Sequence, residues 1–121
     1  MKYVLAFLLV GGASVFSQNA SAAYVWLYNV TLTSASHYYD GVYDVWEIEW
    51  EDNLSTGCSY SDSQKKASWW SNSSNLRWEI GGARLSPALT ALVAKKKVDI
   101  LVNNANCSSN YGAFLQGVRV R

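Results

Sequence analysis

The stretch LSPALTALVAKKKVDILVNNANCSSNYGAFLQGVRVR, residues 85–121, decides the fold because several local signals in it agree. Ser86 and Pro87 have the chemistry of a helix N-cap and a first helical residue, and strong helix formers follow them. Three lysines at 95–97 place positive charge at the negative end of the helix dipole. In chain order, the stretch predicts a short helix over 86–97, an alternating strand over 98–103, a polar loop with Cys107, and a closing alternating strand over 114–120.

The N-terminus has the features of a signal peptide. Lys2 precedes an apolar run at residues 4–10, and Ala20-Ser21-Ala22 has the small-x-small pattern that signal peptidase cuts. A membrane anchor would need roughly 18 to 20 uninterrupted apolar residues, and glycines and polar residues break this run too early. We therefore predict a signal peptide over residues 1–22, cleavage before Ala23, and a secreted or periplasmic single domain over residues 23–121.

Charge and length limit the classes of partner. The chain of 121 residues has ten Lys and Arg against nine Asp and Glu, and loss of Lys2 with the signal peptide makes the two numbers equal. A chain without net charge has no general attraction for nucleic acid or for an anionic membrane. We therefore expect no nucleic-acid partner and no membrane insertion. The mature length suits one compact domain rather than two.

The two cysteines, Cys58 and Cys107, both fall in the mature part of a predicted exported chain, where thiols are normally oxidised. We predict one disulfide between them. In the chain-entropy model, closing a loop of this length contributes on the order of 4 kcal/mol. That is a large share of the roughly 5 to 10 kcal/mol by which a small domain is stable.

Alternating apolar residues predict further strands upstream. Residues 24–32 alternate, Asp40-Gly41 is a turn signal, and a second alternating stretch follows, which favours an antiparallel hairpin. A short strand near Cys58 and another over residues 76–80, stopped by Gly81-Gly82, complete the prediction. About five strands and one helix favour a mainly β fold, a small five-stranded antiparallel barrel that is closed or nearly closed. The tryptophans expected in its core are Trp26, Trp46, Trp50 and Trp78.

The sequence contains no motif for catalysis or metal binding. His37 stands alone in a predicted polar turn, and both cysteines are assigned to the disulfide. Glu47, Glu49 and Glu51 share one strand face with about 7 Å between neighbours, a spacing that paired carboxylates in glycosidases also use. A solvated polar face gives the same pattern, and nothing nearby in the sequence would raise the pKa of one carboxyl group. We therefore predict a non-enzymatic protein without a cofactor or metal.

The aromatic residues are the feature that points to a ligand. Trp69 and Trp70 are adjacent, so an extended chain turns them to opposite sides, and we expect one ring to be exposed beside an Asn/Ser-rich loop. An exposed ring can stack on the CH face of a sugar while amides bond to the sugar hydroxyls. The alternative is a lone exposed tryptophan without a function. The predicted ligand-binding residues, including those of a second polar loop around the disulfide, are Trp69, Trp70, Asn72, Asn75, Asn104, Asn106 and Tyr111.

The predicted helix has hardly a solvent face, because Thr90 is the only polar residue between Ala88 and Ala94. A helix that is apolar all round usually packs on more than one side, and in a single-helix domain the second side can be a neighbouring subunit. The alternative is that its alanines tolerate exposure. The predicted oligomer contacts are Ala88, Ala91, Leu92 and Lys95.

The order of these features resembles the B subunits of AB5 toxins, in particular the subtilase-cytotoxin and pertussis-like group. The matching features are an export signal, a hairpin, a cysteine after the second strand, a helix over 86–97, a strand over 98–103, Cys107 and a hydrophobic last strand. The resemblance implies an oligonucleotide/oligosaccharide-binding (OB) barrel. It also implies a homo-oligomer, a pentamer around its helices, that binds cell-surface glycans and has an enzymatic A subunit as its partner.

Two hypotheses on function follow from the residues and the resemblance. The first is an exported, non-enzymatic module that binds a glycan or a cell-surface glycoprotein and is related to toxin B subunits. The alternative is a small periplasmic or secreted protein-interaction subunit or inhibitor.

Overall fold

The computed structural model of the chain describes residues 23–71 and 77–121. The predicted signal peptide, Asn72 and Asn75 lie outside the described residues. The elements in chain order are β1 (Tyr24–Val30), β2 (Leu32–Tyr39), β3 (Asp44–Trp50), a 3-10 turn (Ser61–Ser63), β4 (Lys66–Ser71), α1 (Arg77–Ala94), β5 (Val98–Ser108) and β6 (Gly112–Val120). The fold is mainly β, as predicted. Within these ranges, no helix has the length and apolar character needed to cross a membrane.

The strands form one six-stranded sheet in the order β1-β5-β6-β4-β3-β2. Neighbouring strands are antiparallel except β4 and β6, which are parallel. β1 and β2 lie at opposite edges of the sheet although only Thr31 separates them in sequence, so the sheet curls until its edges meet at that corner. In the described part of the chain, no strand pairing joins the two edges. The predicted five-stranded antiparallel barrel is therefore wrong in strand number and in the parallel pair, and its sheet is not closed.

The corner between β1 and β2 explains the additional strand. Asn29 has a φ of 63°, and its N–H donates a 2.9 Å hydrogen bond to the Asp99 carboxylate. The N–H of Thr31 donates to the Asp52 carboxylate at 2.7 Å. Because side chains, rather than a neighbouring strand, accept the hydrogen bonds of these two N–H groups, β1 ends there. The chain then turns into β2. In the sequence, the alternation of apolar residues continues through this corner, so β1 does not show its end. The polar residues of β2 then resemble a loop, so the sixth strand is not predicted.

The helix begins at Arg77 rather than at Ser86. The predicted strand over residues 76–80 is therefore wrong. Gly81, which the sequence pattern suggests as the end of a strand, instead lies inside the helix. There the helix backbone packs against the indole of Trp46. A Cβ at position 81 would lie 2.1 Å from Cδ2 of that ring. The glycine that looks like a strand terminator is thus needed for packing the helix on the sheet.

β4 lies beside β3 in the sheet and was not predicted as a strand. Ala67 pairs with Ile48 and Trp69 pairs with Trp46, and these four side chains face the core. The preceding residues 51–65 contain the 3-10 turn but no strand. The predicted short strand near Cys58 is therefore wrong.

The core lies between the inner face of the sheet and α1. Trp46 and Trp50 are buried in it, as predicted, whereas Trp26 is 37 % exposed. Its neighbours Val25 and Leu27 face the core, so the indole of Trp26 lies on the outer side of β1, which corrects its assignment to the core. The core residues with almost no exposed surface are Val30, Ile48, Ala67, Ala88, Ala91, Val98, Ile100, Val102, Ala113 and Leu115.

The predicted disulfide between Cys58 and Cys107 is confirmed, with a Cα–Cα distance of 5.9 Å. It joins the loop after β3 to β5. The amide of Asn104 adds a second tie beside it by donating a 3.0 Å hydrogen bond to the carbonyl oxygen of Thr56. The long loop between β3 and β4 is therefore held against β5 by a covalent bond and by a hydrogen bond.

Candidate functional site

A cluster of aromatic side chains covers the outer face of the sheet, on the side away from α1. Tyr38 in β2 and Trp70 in β4 both pair across the strands with Val45 of β3, and Phe114 of β6 lies beside β4 on the same side. Tyr111 lies in the turn between β5 and β6 and contacts Trp70. We call this surface the aromatic face; it consists of Tyr38, Trp70, Tyr111 and Phe114.

Ring contacts fix the centre of the aromatic face. The centroid of the Trp70 ring lies 5.3 Å from that of Tyr111 and 5.0 Å from that of Phe114, the second pair edge to face. Tyr43, in the turn before β3, meets Tyr111 edge to face at 6.1 Å. Such pairs stabilise beyond the area that they bury. Trp70 is therefore a half-buried ring whose position neighbouring rings determine.

The turns before β3 and before β6 meet over this surface. The hydroxyl of Tyr111 donates a hydrogen bond to the carboxylate of Asp40. Asp40 also accepts hydrogen bonds from the backbone N–H groups of Tyr43 and Val42, at 2.8 and 2.9 Å, and these bonds lower the pKa of its carboxyl group. Asp40 is thus ionised at neutral pH, and it orients its own turn and Tyr111 together.

Glu47 of β3 lies beside Tyr38 on the same side of the sheet and is only 8 % exposed. Its carboxylate is 3.5 Å from the hydroxyls of Ser68 and Tyr38 and 3.6 Å from the ammonium group of Lys66. Burial raises the pKa of Glu47 above its ordinary value, and the nearby charge of Lys66 opposes that shift. The prediction of a fully solvated acidic face is therefore wrong at Glu47, although Glu51 is exposed.

The phenol of Tyr38 keeps its proton at neutral pH. Burial, followed by the negative charges of Glu47 and Asp40, raises the pKa of Tyr38 to about 12. The surface therefore combines aromatic rings with a hydroxyl donor and two carboxylate acceptors, a set that can hold a ligand with both CH faces and hydroxyl groups.

The structure distinguishes the two adjacent tryptophans, because Trp69 is buried whereas Trp70 keeps part of its surface accessible. Trp69 is buried in the core, with its ring centroid 5.0 Å from that of Trp46 and the guanidinium of Arg84 over its ring. The two adjacent rings do point to opposite sides, but one side is the core and the other is covered in part by Tyr111. Trp69 therefore cannot meet a ligand.

The predicted asparagines do not all join this surface. Asn104 uses its side-chain amide to hold the loop at Thr56, so its role is structural. Asn106 is exposed in β5, and Asn72 and Asn75 lie outside the described residues. Of the predicted ligand-binding residues, the structure brings Trp70 and Tyr111 into contact.

Sequence reasoning missed Tyr38, Glu47, Ser68 and Phe114. Tyr38 belongs to β2, whose polar residues resemble a loop. His37, predicted to lie in a polar turn, lies in the same strand. Residues 33–39 show no strict alternation of apolar and polar side chains, so the sequence has no clear signal for β2. Glu47 has no distinguishing signal either, because its pattern is the same as that of the exposed glutamates.

The described residues offer no metal centre: no group of three or more His, Cys, Asp or Glu side chains among them is arranged to hold an ion. His37 stacks on Trp46 with ring centroids 4.5 Å apart, and its Nε2 lies 3.2 Å from the Asp44 carboxylate. These contacts give His37 a role in packing β2 onto β3.

The predicted oligomer residues of α1 differ in accessibility. Ala88 and Ala91 are buried in the chain's own core, Leu92 is half-buried and Lys95 is exposed. Ala88 and Ala91 therefore cannot contact a second subunit. Val93, also in α1, is an apolar side chain that is 85 % exposed.

The chain matches no protein-family model and no curated protein sequence. The resemblance to AB5 B subunits stays a prediction.

Proposed function

We propose that this chain is a non-enzymatic carbohydrate-binding module and that the aromatic face is its sugar-binding surface. The observation that carries the proposal is the position of Trp70, a half-buried ring held between Tyr111 and Phe114. Glu47 lies on the same side of the sheet, one strand away. A sugar ring presents CH groups on its face and hydroxyls at its edge, so it can stack on an indole while it bonds to nearby carboxylates.

The topology supports an OB-like assignment. If β1 and β2 are counted as two halves of one bent strand, the strand order becomes that of a five-stranded barrel, with α1 between the third and fourth strands. In OB folds, the face of the second and third strands binds oligosaccharides or oligonucleotides, together with the loops that follow the first and fourth strands. The corresponding parts here are β3, β4 and the turns that carry Asp40 and Tyr111. Glu47 and Asp40 disfavour a polyanionic ligand at this surface.

A direct test is binding of the mature chain, beginning at Ala23, to a broad glycan array, followed by calorimetry with any glycan that binds. We expect saturable binding that Trp70→Ala weakens at least about tenfold, which corresponds to about 1.4 kcal/mol. Trp26→Ala is the matched control, because Trp26 also lies on the outer side of the sheet but at the β1 edge. Absence of saturable binding, or equal loss in both variants, would contradict the proposal.

A protein partner is the second candidate, and the β1 edge favours it. β1 pairs with β5 on one side only among the described strands, and Tyr24 and Tyr28 expose most of their side chains along it. An open edge strand can accept a further strand from another protein. Capture of one envelope protein by the wild-type chain, lost in Tyr28→Ala and retained in Trp70→Ala, would favour this function over sugar binding.

A further inference from the structure

The C-terminal end of α1 carries positive charge beside exposed apolar side chains. Val93 is 85 % exposed and Leu89, one turn before it, is 45 % exposed. Lys95, Lys96 and Lys97 follow, all exposed, and none of them forms a salt bridge within residues 23–71 and 77–121. We call these five residues the lysine end of α1. Two exposed apolar side chains one helical turn apart and three exposed lysines therefore form an amphipathic patch at this end of the helix.

A pocket opens at the same place. Its volume is about 260 Å³, and Leu32, Ala91 and Leu92 give it apolar walls, with Thr31 and the three lysines completing the lining. A pocket with an apolar interior and a cationic rim suits a group that is anionic at one end and apolar at the other.

Among the described residues, no carboxylate of a neighbouring element forms a salt bridge with these three lysines. Asp99 of β5 is buried, and its carboxylate is already bound by Arg119 and Arg121, whose side chains are about half exposed. The N–H of Arg121 bonds to the carbonyl oxygen of Lys97, so that arginine is close to the lysine end. Asp52 is nearby and accepts the N–H of Thr31. The mature chain has zero formal charge, but its charges are unevenly distributed: lysines cluster at the end of the helix and glutamates lie on β3.

We propose that the lysine end of α1 docks on a bilayer surface rich in anionic lipid. Lysines near such a surface each contribute to binding, and exposed apolar side chains enter the boundary between headgroups and acyl chains. This is docking on the surface and needs no helix that crosses the membrane. A second copy of the chain is a poorer occupant, because a two-fold contact here brings two sets of three lysines together.

Docking at this end leaves the aromatic face free. α1 packs on the inner side of the sheet, whereas Trp70 and Tyr111 lie on its outer side. The proposal is therefore independent of sugar binding, and each can fail without the other.

The test is co-sedimentation of the mature chain with lipid vesicles. We expect binding to vesicles of equal parts phosphatidylglycerol and phosphatidylcholine, little binding to phosphatidylcholine alone, and a steep loss of binding in high salt. Lys96→Gln is expected to weaken binding about fivefold, and Val93→Ser about threefold or more. The matched controls are Lys65→Gln and Val42→Ser, since Lys65 and Val42 are also exposed but do not line the pocket at the lysine end.

Several results would overturn the proposal. One is equal binding to both kinds of vesicle, and another is loss in the control variants that matches loss in Lys96→Gln and Val93→Ser. Competition by soluble glycerol 3-phosphate would indicate a small-anion site rather than a bilayer surface. A change in sedimentation coefficient caused by Val93→Ser without lipid would indicate contact between copies of the chain. Circular dichroism of each variant confirms that a loss of binding is not a loss of fold.

Discussion

The hydroxyl of Ser68 in β4 donates a 2.7 Å hydrogen bond to the carbonyl oxygen of Tyr111, which lies 43 residues away in the β5–β6 turn. Ser68 is fully buried, and its hydroxyl is also 3.5 Å from the carboxylate of Glu47. One small side chain therefore fixes the backbone of Tyr111 next to Trp70 and fills a place beside the buried carboxylate. The aromatic face depends on this contact between two distant parts of the chain.

Replacing Ser68 by alanine leaves the Tyr111 carbonyl oxygen without this donor. We expect Ser68→Ala to lower the free energy of unfolding by about 1 to 3 kcal/mol, measured by urea denaturation. Ser36→Ala is the control, because Ser36 is an exposed serine on the same side of the sheet, and its effect should stay within about 0.5 kcal/mol. Equal effects in the two variants would mean that the Ser68 bond contributes nothing specific.

Two adjacent glycines of α1 have opposite expected effects. A Cβ at Gly81 would lie 2.1 Å from the Trp46 ring, whereas a Cβ at Gly82 meets no atom within 4 Å. Gly81→Ala should therefore destabilise the fold by about 1 to 3 kcal/mol or more through overpacking. Gly82→Ala should stabilise it by about 0.5 to 1 kcal/mol, because alanine is the better helix former. Thermal unfolding of both variants measures this difference, and similar melting temperatures would contradict a helix that starts before Ser86.

The disulfide between Cys58 and Cys107 spans 49 residues. Replacing both cysteines by serine removes the constraint on the unfolded chain, and we expect a loss on the order of 4 kcal/mol. For a domain of this size, such a loss lowers the melting temperature by well over ten degrees. Reduction of the wild-type protein with dithiothreitol should reproduce the loss. A melting curve that is the same under oxidising and reducing conditions would contradict a stabilising role for the bridge.

Those parts of the fold that depend on local pattern could be predicted from the sequence. The first part of β5 and most of β6 follow from alternation, and Cys58 and Cys107 are the two cysteines of a predicted exported chain. The predicted polar loop around Cys107 is wrong over residues 104–108, because β5 continues to Ser108. The first half of α1 could not be predicted from the sequence, because residues 76–80 alternate like a strand and Gly81-Gly82 looks like the end of that strand. Pro87 reinforced that error, since it is a helix-opening residue that here lies inside the helix. The contact between Gly81 and Trp46 resolves the ambiguity, and it joins residues distant in sequence.

The candidate site was predictable only in part for a related reason. Trp70 and Tyr111 can be selected from the sequence because they are aromatic residues next to Asn/Ser-rich segments, and the structure brings them together. Trp69 has the same local sequence as Trp70 and differs only in which side of β4 it occupies. Glu47 is one of three glutamates with equal spacing, and only the packing of other strands makes it the buried one.

The buried position of Glu47 predicts how stability depends on pH. Burial raises the pKa of Glu47 above its ordinary value of 4.5, so the folded state holds this proton more tightly than the unfolded state does. Stability contributed at this site therefore falls as pH rises from 4.5 through the raised pKa, and ionised Glu47 costs free energy at neutral pH. Glu47→Gln should then melt at a higher temperature than wild type at pH 7, and the gap should close near pH 4. Glu51→Gln is the exposed control, expected to change little at either pH, and a Glu47→Gln gap that persists unchanged at pH 4 would contradict this assignment.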